Sequence, residues 1–419
     1  LSIGETRLRS RTDLAGALKG LSLDASVEVT VLRDGKKHSV SWKPFSGELA
    51  EYPDENGRTT NPLLWKSKLK EGKVLNIYQQ FGFTFTGVPL PRGSENHLGT
   101  TPVEHPIKLP PGSYLLLLDL QGRPTVRVPL VVPGQAAKLD VQIPPEVPDG
   151  FLYVPAGPFF AGGDDQDFAQ NLEPGQRDLP GFFMGRLEVN FTDYLAFVNS
   201  PEILARTDED GHALRKASRS RKEPGSNKVL LIPSYGGQLL FNRSTSGGKW
   251  IPGKSVANLK RPVIGVSMLA AMEYALWLSD RSPGKKYSYR LPTDLEWEKA
   301  ARGVDRRIHV WGKYPVSPYC RSGASNCKKT NTLGNTGAFP LDESVYGIRD
   351  LAGSVSEPTT DLTVAGQGFI SYRGGHWLTI DEYLFHAATR TGHLADTHEL
   401  DCGFRLVAVP TVNVKPGEN

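Results

Sequence analysis

The stretch YRGGHWLTIDEYLFHAATR, residues 372–390, constrains the fold more than any other part of the chain. Its adjacent glycines, Gly374 and Gly375, predict a tight backbone turn, because glycine adopts conformations that other residues avoid. Aromatic, histidine and arginine side chains surround the turn, as expected of a binding or active site built from loops. The stretch lacks cysteine, and none occurs between residues 328 and 401.

Length and composition limit the classes of protein that the chain can represent. A chain of 419 residues is too long for one ordinary core, so we expect several domains. A hydrophobic content of 38% with 22% charged residues is typical of a soluble globular protein. The net charge of +4 is too small to indicate a nucleic-acid partner, and the basic run at residues 214–228 is interpreted as a solvated loop.

The start of the sequence and the cysteines do not identify the cellular compartment of the protein. No apolar stretch is long enough to cross a membrane. Residue 1 is leucine rather than an initiator methionine, which indicates that chain is missing before it, so localisation is not assigned. Cys320 and Cys327 could form a disulfide in an oxidising compartment, and two free thiols are the alternative.

The first 146 residues contain two modules and a linker. Residues 1–43 predict a strand, an amphipathic helix with apolar positions at Leu14, Ala17, Leu18 and Leu21, and a hairpin that turns at Asp34-Gly35. This pattern resembles the C-terminal half of a PDZ domain. Residues 44–71 are interpreted as a linker. Residues 72–146 read as short strands, and LGTTPVEHPIKLPPGSYLLLLDLQGR resembles PEGA-type β-sandwich modules, which implies a structural spacer.

Residues 147–412 carry an ordered series of blocks, followed by a tail at 413–419. The blocks include FLYVPAGPFFAGG, GRLEVNFTDYLAFVNS, YRLPTDLEWEKAARG, DESVYGIRDLAGSVSEP, YRGGHW and CGFRLV. Together they resemble the formylglycine-generating-enzyme (sulfatase-modifying factor) family, especially versions fused to bacterial serine/threonine kinases. The resemblance implies a β-rich α+β multidomain protein, in which a C-type-lectin-like domain follows a β-sandwich module and a partial PDZ domain.

Local signals in these blocks predict three helices. Ser267 is a candidate N-cap for a helix with Leu269, Met272, Ala275 and Leu276 on one face. The sequence TDLE, Thr293 to Glu296, is a capping-box signature for a second helix that turns Trp297 and Ala300 towards the core, with Ala301 nearby. A third helix is predicted to begin at Thr192.

The resemblance also identifies what the chain lacks. Catalytic members of the family hold copper with two cysteines, one after the RGGS segment and one five residues later. Those positions correspond to Thr379 and Leu384, and neither a hydroxyl nor an isobutyl group supplies the soft ligand that copper(I) requires. A second branch holds iron with three histidines in an N-terminal helical domain, but His38, His97 and His105 are far apart. Cys402 is interpreted as part of packed β structure.

Two other metal interpretations concern the loops. His376, His386, His393 and His398 are concentrated near the C-terminus, but their spacing fits no standard zinc pattern. The family often has loop calcium sites, for which Asn326, Asp342 and Asp350 are the candidate ligands. Against calcium, the family's GNVWEW segment is GSVSEP here, with Ser354 and Pro358 in place of Asn and Trp.

We therefore interpret the former active-site groove as a surface that binds a protein or peptide and requires no cofactor. Its candidate residues are Tyr372, Arg373, His376, Trp377, Tyr383, Phe385, His386, Arg390 and His393. Trp377 is expected to be half buried. Truncating Arg390 is expected to weaken binding if its side chain is exposed and to destabilise the domain if it is buried. The chain would be the sensor, recruiter or substrate arm of a bacterial signalling or defence protein with an upstream kinase or protease. The alternative is a metal-dependent oxidase of the same family with non-cysteine ligands.

Overall fold

The computed structural model describes most of the chain beyond residue 124 and isolated strands before it. The described ranges are 2–3, 6–7, 27–33, 36–42, 61–67, 74–80, 96–100, 107–109, 112–119, 125–132, 137–141, 143–163, 171–216, 228–246, 248–312, 319–323, 325, 333–363 and 368–411. The chain divides into two compact units, Leu1–Arg58 with Pro89–Asn96, and Thr59–Val88 with His97–Asn419. No helix in the described ranges has the length and apolar character needed to span a membrane.

Several predicted features lie outside these ranges. They are the helix over Leu14–Leu21, most of the basic run at 214–228, Asn326, Cys327 and the tail at 413–419.

The first unit contains one antiparallel sheet. Its strands are β1 (Ser2–Ile3), β2 (Thr6–Arg7), β3 (Val27–Arg33) and β4 (Lys36–Trp42), in the order β2-β1-β3-β4. Strands β3 and β4 pair from Val27 with Trp42 to Arg33 with Lys36, which confirms the hairpin predicted at Asp34-Gly35. The PDZ resemblance of this segment stays a prediction.

The second unit begins with two small sheets. One has the order β10-β9-β6-β7 and the other β11-β5-β8. The strands are β5 (Asn61–Ser67), β6 (Val74–Gln80), β7 (Asn96–Thr100), β8 (Ile107–Leu109), β9 (Gly112–Asp119), β10 (Val126–Val132) and β11 (Ala137–Val141). Strand β5 lies within the predicted linker over 44–71, and its backbone pairs in parallel with β11, a partner more than 70 residues away in sequence. The linker assignment stays a prediction.

The rest of the unit is a set of short strands around one central sheet. That sheet has the order β12-β15-β26-β22, and its strands are antiparallel. Its members are β12 (Phe151–Val154), β15 (Phe182–Gly185), β22 (Tyr287–Arg290) and β26 (Val407–Pro410). The two-stranded pairs are β13 (Gly157–Ala161) with β14 (Gly175–Leu179), β16 (His212–Leu214) with β17 (Lys228–Leu230), β18 (Ser234–Tyr235) with β19 (Gln238–Leu239), and β20 (Phe241–Arg243) with β21 (Trp250–Pro252). Strands β23 (Glu357–Leu362), β24 (Ile370–Arg373) and β25 (Arg390–His393) form the sheet nearest the candidate site.

The helices are α1 (Phe191–Val198), α2 (Pro201–Leu204), α3 (Met268–Asp280) and α4 (Asp294–Arg302), with short 3-10 helices at Pro283–Lys285 and Glu382–Phe385. Each of the three predicted helices has a side-chain cap. Asn190 caps α1, which begins one residue before the predicted Thr192, and Ser267 caps α3 as predicted. The capping box of α4 is complete, since Thr293 Oγ1 accepts from the Glu296 N–H at 3.2 Å and Glu296 Oε2 accepts from the Thr293 N–H at 2.8 Å.

The buried face of α3 includes three of the four residues predicted to share one face. Ala275 is buried and Leu269 and Met272 pack against the core, together with the buried Ala270, Ala271 and Tyr274. Leu276, in contrast, is 37% exposed. The reason is the aromatic core beneath the helix, where the Tyr274 ring lies 5.7 Å from the Tyr194 ring. Alanines let the helix approach those rings more closely than leucines would.

A second core surrounds α4 and is contacted by the small sheet that contains β9. Trp297, Ala300 and Ala301 are fully buried in it, as predicted. Leu115 of β9 packs against the same core. Arg127 of β10 also forms an ion pair with Glu343 at 2.8 Å, so this sheet has apolar and ionic contacts with the rest of the unit. The β-sandwich resemblance of residues 72–146 stays a prediction.

Gly374 places β24 directly against this second core. Its φ of +74° lies in the left-handed region, and a Cβ atom there would meet the Leu351 carbonyl oxygen at 2.8 Å and the Trp297 ring at 3.3 Å. Both conditions favour glycine, so the turn after β24 depends on this residue.

Replacing Gly374 with alanine should therefore destabilise the domain more than a matched replacement elsewhere. Gly368 has the same φ of +74° but nothing within 4 Å of a built Cβ, so Gly368→Ala carries the backbone cost without the clash. We expect Gly374→Ala to lower the free energy of unfolding by about 2 kcal/mol more than Gly368→Ala. Denaturant titration of both variants measures the difference, and equal losses would contradict the close approach.

Candidate functional site

The candidate site begins at the turn that follows β24. The Gly375 N–H donates to the Ala352 carbonyl oxygen and the Trp377 N–H to the Ser354 carbonyl oxygen, both at 2.9 Å. These bonds hold residues 374–377 against the segment that contains GSVSEP.

Thr379 closes the turn with its own hydroxyl. Thr379 Oγ1 accepts from the His376 N–H at 3.1 Å, and the Thr379 N–H donates to the His376 carbonyl oxygen at 2.9 Å. The Thr379 carbonyl oxygen also accepts from the Gly323 N–H at 2.7 Å. Thr379 is only 4% exposed, and Leu384 is half buried in the 3-10 helix Glu382–Phe385. Neither residue supplies sulfur, the soft ligand that copper(I) requires.

Beneath the turn, one carboxylate connects α4 to all three strands of the nearby sheet. Asp294 Oδ1 accepts from Thr359 Oγ1 at 3.0 Å, from Ser371 Oγ at 2.7 Å and from Arg373 Nε at 2.9 Å. Asp294 Oδ2 lies 3.0 Å from Arg390 Nη2 in an ion pair. Burial alone would raise the pKa of Asp294, but the two arginines and the hydroxyls lower it below its ordinary value, so the carboxylate stays charged.

This arrangement places four of the predicted groove residues in the interior. Arg373 is fully buried and also pairs with Glu298 at 3.2 Å, while Arg390 is 9% exposed. Tyr372 and Phe385 are 1% and 4% exposed. These side chains support the site from beneath instead of lining its surface, because the carboxylates of α4 draw both guanidinium groups inward.

His376, Trp377 and His393 are each half buried, and His376 lies near His393. His376 Nε2 lies 3.5 Å from Asp401 Oδ2, and Trp377 Nε1 donates to the Leu400 carbonyl oxygen at 3.0 Å. Burial lowers the pKa of His376, and the nearby His393 lowers it further, although Asp401 opposes the shift. His376 is therefore largely neutral at pH 7. Trp377 is half buried, as expected from the sequence.

Two exposed aliphatic side chains project from the same turn. Leu378 is 41% exposed and Ile380 is 70% exposed, on either side of the buried Thr379. Leu394, which follows His393, is 57% exposed. We call His376, Trp377, Leu378 and Ile380 the turn surface.

Tyr383 lies on the 3-10 helix Glu382–Phe385, and His386 lies at its end. The His386 ring is 4.8 Å from the His309 ring, which in turn stacks on Trp311 at 5.3 Å. Burial lowers the pKa of His309 to about 4, so this imidazole is neutral at physiological pH. Sequence reasoning missed His309, as well as Asp294 and Glu298. The spacing of the two carboxylates, i and i+4 on one predicted helix, was the available signal.

Two of the three candidate calcium ligands, Asp342 and Asp350, have described positions, and both accept bonds from backbone N–H groups. Asp342 accepts from the Ala352 and Gly353 N–H groups at 3.0 and 3.1 Å, and Asp350 accepts from the Gly337 N–H. Burial raises the pKa of Asp342 to about 7 and that of Asp350 to about 6. Across the described part of the chain, no group of three or more His, Cys, Asp or Glu side chains is arranged to hold a metal ion.

The thiols with described positions are not activated. Cys320 and Cys402 are buried, and burial raises the pKa of both thiols, so neither resembles a reactive thiolate. Cys402 forms an isolated bridge with Ser356, in agreement with its assignment to packed β structure.

Comparison with known proteins identifies relatives of the second unit. Residues 140–409 match the family described as the sulfatase-modifying factor enzyme 1-like domain. The formylglycine-generating enzyme of Thermomonospora curvata is 28% identical over 306 residues, which cover 64% of this chain and 96% of that protein. The inactive C-alpha-formylglycine-generating enzyme 2 of Mus musculus is 27% identical over 281 residues, covering 61% and 85%. The serine/threonine-protein kinase Pkn1 of Chlamydia trachomatis is 27% identical over 207 residues, covering 48% of this chain and 26% of the kinase.

Arg390 tests the buried network directly. Arg390→Ala leaves part of the Asp294 charge without its partner, so we expect the free energy of unfolding to fall by about 3 kcal/mol. The matched control is Arg281→Ala, which removes an exposed pair with Glu202 at 2.5 Å and should cost less than about 1 kcal/mol. Equal small losses in denaturant titrations would mean that Arg390 belongs to the surface after all.

Proposed function

The chain belongs to the sulfatase-modifying factor enzyme 1-like domain family, and we propose that it is a non-catalytic member that binds a protein or peptide at the turn surface. The observation that carries the proposal is the pair of exposed aliphatic residues, Leu378 and Ile380, on a turn that is locked by Thr379. A rigid turn loses little conformational entropy on binding, so its apolar area contributes efficiently to affinity.

The reacting positions of the family support a non-catalytic role. Thr379 uses its hydroxyl within the turn, and Leu384 is an aliphatic residue in the 3-10 helix. Catalysis by the family route would need thiolates at both positions, and no cysteine occurs between residues 328 and 401. That one relative is named as inactive makes such a loss of activity plausible within the family.

The composition of the turn surface favours a macromolecular ligand. Trp377 presents part of an aromatic ring beside Leu378, and His376 adds a neutral imidazole next to Asp401. Aromatic and aliphatic groups with a few polar contacts are typical of interface centres. We further propose that the chain is the recognition arm of a bacterial signalling or defence protein with a kinase or protease effector. The similarity to a kinase over 207 residues supports the kinase form.

A peptide-display selection tests the proposed surface. Peptides from a random library are selected on the wild-type protein, and their affinities are measured for the variant Leu378→Asp/Ile380→Asp. Because both residues are exposed, the variant should keep its melting temperature while losing about 2 kcal/mol or more of binding free energy.

The control carries the same change at two other exposed aliphatic positions, Leu239→Asp/Ile251→Asp, where exposure is 36% and 47%. Affinity should be unchanged in this control. Selected peptides that bind both double variants as tightly as the wild type would refute the turn surface as the binding site.

A gain-of-function experiment tests the loss of catalysis. The double variant Thr379→Cys/Leu384→Cys supplies both thiols, yet we expect no copper-dependent oxidation of a cysteine-containing peptide. The surroundings have also changed, with Ser354 and Pro358 in GSVSEP and His376 bonded within the turn, and metal sites depend on such surroundings. Conversion of the peptide by this variant, detected by mass spectrometry, would contradict the expectation.

A further inference from the structure

A cleft of about 520 Å³ lies where the small sheet that contains β9 and β10 meets the family domain. Strand β10 forms one wall with Val128 and Leu130, and β13 forms another with Phe159. The cleft shares no residue with the turn surface. Its volume lies in the range of sites that bind small molecules, and such sites often occur where two modules meet.

Lys299 of α4 lines this cleft and is an incompletely compensated cation. It is 1% exposed, and its Nζ donates to the carbonyl oxygens of Pro155 at 2.9 Å and Gly157 at 2.8 Å. A lysine ammonium has three N–H donors, so two carbonyl oxygens leave one donor for another acceptor. Asp178 acts on Lys299 through its charge, but no described carboxylate lies within ion-pair distance of Nζ.

Burial therefore dominates the titration of this side chain. It lowers the pKa of Lys299 to about 8, and the charge of Asp178 offsets the shift only in part. A buried ammonium without a carboxylate partner is stabilised when an anion enters its surroundings.

The other charges at the cleft favour an anion as well. Arg306 is exposed at the rim, with its Cζ 3.7 Å from the centre of the Phe160 ring. Asp305 is the carboxylate among the lining residues, and Arg307 neutralises it through two contacts of 2.8 Å. The cleft therefore has two basic residues, Lys299 and Arg306, whereas the carboxylate of Asp305 is already paired with Arg307.

We propose that the cleft binds a small organic anion with an apolar body and one carboxylate head, which pairs with Lys299. The apolar body occupies the space between β10 and β13, where Val128, Leu130 and Phe159 exclude water from it. The carboxylate accepts the remaining N–H of Lys299 and replaces the hydration that the ammonium has lost. The ligand would thereby connect the small sheet to the family domain.

Binding through an ion pair with Lys299 should depend on pH and be accompanied by proton uptake, whereas purely apolar binding should not. The carboxylate requires the charged form of Lys299, which predominates below its pKa of about 8 and is lost above it. Affinity should therefore be constant below about pH 7.5 and fall about tenfold per pH unit above pH 8. At pH 8.5 the protein should take up protons on binding, because the bound carboxylate raises the pKa of Lys299.

Isothermal titration calorimetry with three ten-carbon probes tests the proposal on the full chain. Decanoate should bind, whereas decanol and decyltrimethylammonium should bind at least tenfold more weakly. Titrations of decanoate in buffers with different ionisation enthalpies measure the expected proton uptake. Equal affinity for decanol, the absence of decanoate binding, or a decanoate affinity that is constant from pH 7 to pH 9.5 would each overturn the proposal.

Variants assign the binding to this cleft. Lys299→Met should reduce decanoate affinity at least tenfold, and Lys249→Met, at an exposed lysine outside the cleft, should not. Replacing Lys299 also removes its bonds to two carbonyl oxygens, so a second variant is needed. Val131→Glu serves this purpose, because Val131 lines the cleft and is 46% exposed, so the fold should tolerate the change. The added carboxylate should weaken decanoate binding several-fold. Unchanged affinity in Val131→Glu, or in a folded Lys299→Met protein, would place the anion elsewhere.

Discussion

The buried carboxylate of Asp294 is the constraint on which the candidate site depends. It lies in the first turn of α4 and binds groups from β23, β24 and β25, so one side chain sets the position of a helix relative to a whole sheet. Removing one member of this cluster should lower the stability of the domain, because a buried charge without its partner is strongly destabilising. The turn after β24 lies directly above this cluster, and the backbone at Gly374 lies so close to Trp297 that no side chain fits between them.

In the proposed function, the chain keeps the family scaffold without the family chemistry. The carboxylates and arginines beneath the turn connect α4 to the nearby sheet, while Thr379 bonds within the turn and Leu384 lies in a 3-10 helix. In the proposed function, Leu378 and Ile380 present their apolar side chains to the ligand. The proposed binding surface and the cleft near Lys299 share no residue, so either proposal can fail experimentally without the other.

Sequence reasoning succeeded where the determinants are local. The caps at Ser267 and Thr293 and the hairpin at Asp34-Gly35 depend on neighbouring residues, and the structure confirms them. It failed where the structure is determined by residues that are distant in the sequence. The exposure of Leu276 on α3 follows from the aromatic core beneath the helix, and Arg390 turns inward towards a carboxylate on a helix 96 positions earlier in the chain. Single-sequence patterns carry no information on such pairings, and the cleft at the module junction arises from the same long-range contacts.

The central claim is that the former active site retains its scaffold but holds no redox metal. Elemental analysis of the purified wild-type protein, produced with copper and iron both supplied, tests it most directly. The account predicts that both metals stay far below one atom per chain after dialysis, because Thr379 and Leu384 provide no thiolate and the described histidines do not converge on one point. Stoichiometric copper or iron that survives dialysis would contradict the account and restore the oxidase interpretation.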